Sequence, residues 1–216
     1  MKFKDPTGKW GELVHVTATR WMIDQAGLNV DAGTLAYHIE IIVAANIGVD
    51  SGDTAATNLN AAAQGWHFDR NPDPNIDSRQ EYAEAMLNGA VYNWNWADQA
   101  YANGDITFEE RHNWRVNALE MIGRGLHALQ DIDAHMDIGT NDFNNPISSP
   151  HTFSGQFIWQ WKDIDNPQYD ATPTGQVGVY ERVDTGERFG SQRYANTVAR
   201  TQDYVRKFYS QINTSQ

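Results

Sequence analysis

Residues 127–135 read HALQDIDAH and set His127, Asp131 and His135 four residues apart. On a helix, at roughly 100° per residue, Asp131 lies about 40° round from His127 and His135 about 80° round, so all three share one face. A rise of about 1.5 Å per residue spaces neighbours by about 6 Å and the ends by about 12 Å. One tetrahedral zinc, with bonds of about 2 Å, does not reach both end histidines of a straight helix. The column suits a cluster instead, with Asp131 between two ions; ions paired about 3.5–4 Å apart are a recurrent device for displacement at phosphorus. Taken singly, each histidine reads better as a polar-pocket residue and Asp131 as half of a surface pair. The full spacing, with Gly123 and Gly125 upstream to permit close approach, turns the reading towards metal.

The rest of the composition narrows the donor set. The chain of 216 residues contains no cysteine, which removes disulfides, thiolate zinc sites and thiol nucleophiles together. Any metal must be held by imidazole and carboxylate. Sixteen Lys and Arg against 28 Asp and Glu give a formal net charge of −12, which argues against long-range attraction of polyanions. Bound divalent ions would invert that field locally. The apolar share of 40%, with 8 Trp, 9 Tyr and 8 Phe, supplies a real core. The opening MKFKDPTGKW has no apolar signal-peptide region, and no stretch is long and apolar enough to span a membrane.

These ligands must be positioned by helices. Residues 13–26 carry helical spacing at Leu13, Val16, Trp21 and Ile23 and stop near Gly27; residues 34–47 form a more apolar helix ending at Gly48. Ser78 with Glu81 predicts a capped helix to about Ala102. Thr107 with Glu110 predicts another to about Asp137, with Leu119, Ile122, Leu126 and Leu129 as its apolar stripe. A last helix is expected from about Ser191 to Ile212. Between them lie two long stretches rich in Gly, Asn, Asp and Pro, the first around a short helix and the second, 139–190, with room for a strand pair near QVGVYERV. The expectation is an all-α domain with two long loops lining a metal cleft, since loops of that length in a compact domain are usually functional.

Two further stretches, WGELVH at 10–15 and WHFD at 66–69, together with HALQD, resemble in chain order the zinc-dependent phospholipase C and single-strand-specific zinc nuclease superfamily. The resemblance covers residues 10 to about 155. It implies an all-helical fold holding two or three Zn2+ ions. By position it gives His15 as the first-helix ligand, His67 as the histidine of the H-F motif, and Asp53 or Asp50 as the loop aspartate. His127 and Asp131 would complete the pair of ions that share a bridging carboxylate, and His135 and His151 would serve the remaining ion. The loop aspartate is also the implied catalytic group, as base or as the residue that orients the attacking water.

The chain departs from the family in three places. The family usually leaves a longer gap after the helical Asp than the three residues before His135, and Asp137 falls in the expected place. A shorter H-x-x-Q-D-x-x-A-H spacing is similar to that of heterokaryon-incompatibility type proteins, so His135 is kept and Asp137 held in reserve. His151 is followed by TFSG with no nearby carboxylate, which leaves Asp137, Asp142 or Asp163 as the third ligand of that ion. In the family a mature N-terminal Trp often ligates through its amine, and Trp10 stands at the matching distance from His15. Nine residues precede it, and their DPTG resembles the end of an RHS (YD-repeat) core ahead of a variable toxin domain. Residues 1–9 are therefore expected to be the tail of an upstream RHS-type core and residues 10–216 the metal-dependent phosphodiesterase domain; a cut near residue 10 would expose the Trp10 amine as a ligand, the alternative being that Trp10 is a packed aromatic.

The resemblance implies phosphodiester hydrolysis by a metal-activated water. A phospholipase C-like toxin domain acting on phospholipid headgroups is the first expectation, because no basic stripe is visible; no stable nucleic-acid complex is expected. It would be a secreted or delivered effector with a cognate immunity protein as partner. A single-strand nuclease of the same fold is the alternative that the Trp10–His15 spacing favours. A non-enzymatic alternative is a helical interaction module whose ions merely hold the two loops. The aromatics Phe157, Trp159 and Trp161 suit a lipid interface, base stacking or core packing alike. His38, in an apolar helix, and His112, on a charged face, are left out of the site.

Overall fold

The computed structural model describes residues 13–54, 65–67, 77–135 and 192–212. They are all-α: among them no strand occurs, and no helix is long and apolar enough to cross a membrane. A π-helical turn, Leu13–Ala18, runs into α1, Thr19–Asp24. Next come α2, Ala32–Gly48, a 3-10 turn at Gly52–Thr54, and one helical turn at 65–67. The long antiparallel pair α3, Ser78–Asn103, and α4, Phe108–His135, follows, and α5, Gln192–Gln211, closes the bundle.

Local chemistry accounts for the ends. At the start of α4 the reciprocal capping box forms as the sequence predicts: Glu110 N–H donates to the Thr107 hydroxyl at 3.2 Å and Thr107 N–H to the Glu110 carboxylate at 2.7 Å. At the start of α3 the cap is Asp77 rather than the expected Ser78, its carboxylate accepting from Arg79 N–H at 2.9 Å. Asp77 also pairs with the Arg79 guanidinium at 2.9 and 2.7 Å, a second bond set that a serine hydroxyl could not offer. Asp31 caps α2 through Thr34 N–H. The π-helical turn at Leu13–Ala18 replaces the regular helix expected from residue 13, and π-turns are frequent at functional sites.

Helix α4 is the central element, packed against α2, α3 and α5. Its stripe Leu119, Ile122, Leu126 and Leu129 is buried, joined by Ile39 and Ile42 of α2, Leu87 and Trp94 of α3, and Val205 and Phe208 of α5. The two glycines upstream of His127 act as the sequence suggests. A Cβ on Gly123 would strike the Ile42 carbonyl and the Ala45 side chain of α2, and one on Gly125 would strike the Tyr204 hydroxyl, which donates to the Ala83 carbonyl. Close approach at Gly123 is what lets α2 reach His127.

Candidate metal centre

His15, Asp50, His67, His127 and Asp131 converge from four separate elements. The π-turn carries His15, the end of α2 delivers Asp50, residues 65–67 bring His67, and α4 supplies the other two. The Trp66 ring stacks on Tyr82 of α3 at 5.0 Å, which holds the short turn bearing His67 against the bundle. Arg79, 1% exposed, donates from Nη1 to the Asp131 carbonyl at 2.9 Å and so ties the start of α3 to the ligand-bearing end of α4.

The atoms face one another closely. Asp131 Oδ2 lies 2.8 Å from His67 Nδ1 and 3.2 Å from His127 Nε2, while its Oδ1 lies 3.6 Å from His15 Nε2. His127 Nε2 is 3.1 Å from His67 Nδ1 and 3.7 Å from Asp50 Oδ1. Ligand atoms around a tetrahedral zinc, with bonds of about 2.0–2.1 Å, stand about 3.3 Å apart. The side chains are thus already at the spacing of a coordination shell. They form two overlapping groups, His15–His127–Asp131 and Asp50–His67–His127, and the two Asp131 oxygens address different imidazoles.

Proton placement points the same way. His67 Nε2 contacts the Thr54 carbonyl at 2.9 Å, an acceptor only, so Nε2 carries a proton and Nδ1 is the ring nitrogen that faces inward, 2.8 Å from Asp131 Oδ2. His127 Nδ1 donates to Asn46 Oδ1 at 3.2 Å and His15 Nδ1 to Gln130 Oε1 at 2.9 Å, which turns both Nε2 lone pairs inward as well. Three inward-facing imidazole nitrogens and two carboxylates therefore meet in a buried site. His15 Nε2 and both oxygens of Asp50 have no hydrogen-bond partner. A single shared proton relieves one such contact; a divalent cation relieves all of them. Burial, reinforced by neighbouring His127, pushes the His15 pKa down against the pull of Asp131 and Asp50, which favours the neutral ring that a metal requires. The oxygen and nitrogen set, without sulfur, suits zinc and its first-row neighbours.

The structure separates the two loop aspartates that the sequence left open. Asp50 belongs to the group; its side chain is 2% exposed because it follows the last turn of α2 directly into the core. Asp53, three residues on, sits on the exposed 3-10 turn and lines a cavity of about 670 Å3 with Ile41, Val49, Trp66 and Arg124. It is not among the converging ligand atoms. His135 ends α4, and its side chain falls outside the described residues, as do Trp10, Asp137, Asp142, His151, Asp163 and the aromatics at 157–161. His38 is buried, with Nδ1 bonded to the Tyr209 hydroxyl at 2.8 Å, while His112 lies exposed with Nε2 3.3 Å from the Tyr37 hydroxyl.

Sequence reasoning passed over the residues behind the ligands. Asn46 and Gln130, 0% and 1% exposed, hold two of the three imidazoles. Their signal was their setting: an asparagine inside the apolar run IIVAANI, and a glutamine directly before the ligand Asp131. No protein-family model, curated protein or solved structure matches the chain.

Proposed function

We propose that the protein is a metal-dependent phosphodiester hydrolase, with Zn2+ held by His15, Asp50, His67, His127 and Asp131. The observation that carries this reading is the inward convergence of three imidazole nitrogens and two carboxylates at 2.8–3.7 Å. When bound, divalent ions supply Lewis acidity to phosphoryl oxygens and activate water. Asp131, with its two oxygens turned to different imidazoles, would hold metal together with both groups. Asp50 has an oxygen to spare beyond its approach to His127 and, with metal bound, would be the group to orient water or accept its proton. The resemblance of WGELVH, WHFD and HALQD to the zinc phospholipase C and nuclease superfamily supports the reaction class, and the net charge of −12 supports a phospholipid headgroup ester over a polynucleotide.

One observation favours a second reading, in which the ions only brace the fold. All five ligand side chains are nearly fully buried, and a catalyst needs a position open to water and substrate. The two readings part on one experiment. Hydrolysis of bis-p-nitrophenyl phosphate or p-nitrophenylphosphorylcholine, lost on chelation and in Asp131→Asn and restored to the wild-type chain by Zn2+, supports the hydrolase. Stoichiometric metal by elemental analysis with no turnover on either ester supports the brace. Turnover that survives complete stripping of metal overturns the hydrolase reading.

A further inference from the structure

Behind the ligands lies a second layer of bonds that links two of them. Gln130 Oε1 accepts from His15 Nδ1 at 2.9 Å and from Asn46 Nδ2 at 3.0 Å. Gln130 Nε2 donates to the hydroxyls of Thr19 at 2.9 Å and Thr201 at 3.2 Å. Asn46 Oδ1 in turn accepts from His127 Nδ1 at 3.2 Å. Both amides are buried, and Gln130 uses both of its donors and accepts twice at its oxygen.

We propose that Gln130 and Asn46 are positioning residues that act as one amide relay, fixing the orientation and tautomer of His15 and His127 together so that both present Nε2 to the metal centre. This inference rests on the metal reading of the site. The reason is the directionality of amides. With the Gln130 oxygen towards His15, the Asn46 NH2 must face Gln130, and the Asn46 oxygen must then face His127. Each imidazole is left with its proton on Nδ1 and its lone pair on Nε2. For neutral rings the one other self-consistent arrangement reverses both amides and makes both rings Nε2–H donors towards the carboxylates. The two ligands consequently change state as a unit, while His67, held by the Thr54 backbone carbonyl, does not take part. Thr201 brings α5 into the relay, so a helix that supplies none of the five ligands still helps to aim them.

The test is Co2+ titration by visible absorption, paired with long-range 1H–15N spectra that report which ring nitrogen of each histidine is protonated. Gln130→Met keeps the length of the side chain and removes its four bonds. It is expected to weaken Co2+ binding by about 10- to 100-fold, the usual cost of losing an outer partner of a metal-ligating histidine. His15 and His127 are expected to lose their shared Nδ1–H state in the metal-free protein. Thr201→Val, which touches no ligand and nearly conserves volume, guards against a folding defect and is expected to produce a smaller loss in the same direction with the same change at His15. If both variants keep the helical circular dichroism of the parent, its Co2+ affinity and its histidine tautomers, the relay is overturned and the metal centre stands. If the parent chain itself takes up no Co2+, the metal reading falls and the relay falls with it.

Discussion

The two ends of the α3–α4 hairpin treat carboxylates in opposite ways. Near the connection, Asp98 is bracketed by the chain's own cations: Arg111 Nε and Arg115 Nε donate to Oδ1 at 2.8 Å, and Arg115 Nη2 donates to Oδ2 at 2.7 Å. Arg115 also lies over the Trp94 ring at 4.5 Å, so the guanidinium is held by stacking as well as by charge. Some 16 residues further along α4, about 24 Å at the rise of a helix, Asp131 and Asp50 are more deeply buried and meet imidazoles instead. A carboxylate withdrawn from water costs several kcal/mol unless it is paired. At the Asp98 end two guanidinium groups supply the counter-charge; at the Asp131 end the partners are imidazoles, grouped so that they could also hold a metal ion. The contrast sets a structural ion pair within the hairpin against a candidate ligand cluster to which α4 contributes two side chains and three other elements the rest.

The strongest test of that contrast removes the atom shared by both ligand groups. His127→Ala is expected to lower Zn2+ or Co2+ affinity by more than about 100-fold, beyond the loss from an outer partner, as read by competition with a chromophoric chelator. The same titration on Asp98→Ala should show no change. Asp98→Ala is instead expected to destabilise the fold by about 2 kcal/mol in denaturant titration, between the values for exposed and buried pairs, because two guanidinium groups lose their partner. Asp50→Asn sharpens the comparison by sign. In metal-free protein it is expected to stabilise by about 1 kcal/mol, since it removes a buried charge that has no hydrogen-bond partner, while reducing the stabilisation gained on adding metal. A destabilised metal-free Asp50→Asn would show that the chain already compensates that carboxylate.

The smallest effect near neutral pH comes from the third kind of buried group, His38, which is satisfied by the Tyr209 hydroxyl and presents an edge to Trp94 at 5.6 Å. Burial, with the Arg115 guanidinium, lowers its pKa to about 4 against the pull of Asp31. Between there and its unfolded value of about 6.5 the unfolded chain binds more protons than the folded one, so stability is full above pH 6.5 and falls as the pH drops towards 4. The loss is a fraction of a kcal/mol between pH 7 and 6 and grows below. His38→Gln should flatten the profile in that window, measured by thermal unfolding of the metal-free chain.

Much of the helical frame was legible in the sequence because it is set by short-range rules. The 3–4 residue spacing of Leu119, Ile122, Leu126 and Leu129 gives the buried face of α4, and Thr107 with Glu110 gives its start. His127 and Asp131 share a face by periodicity alone. Where the short-range signals were ambiguous the structure differs by a residue or a turn, as at Ser78 against Asp77 and at the π-helical turn Leu13–Ala18.

The amino-acid order by itself determined which donors exist: imidazole and carboxylate with no thiolate, two of them locked to one helical face, and glycine where α2 must come close. Only the tertiary structure decided that Asp50 rather than Asp53 joins them, and that Gln130, 115 residues from His15, orients its ring. The physical reason is range. Helical periodicity fixes directions within a few turns, whereas the meeting of lone pairs from four elements depends on how helices cross, and that is set by packing at contacts such as Gly123 against Ile42 and Ala45.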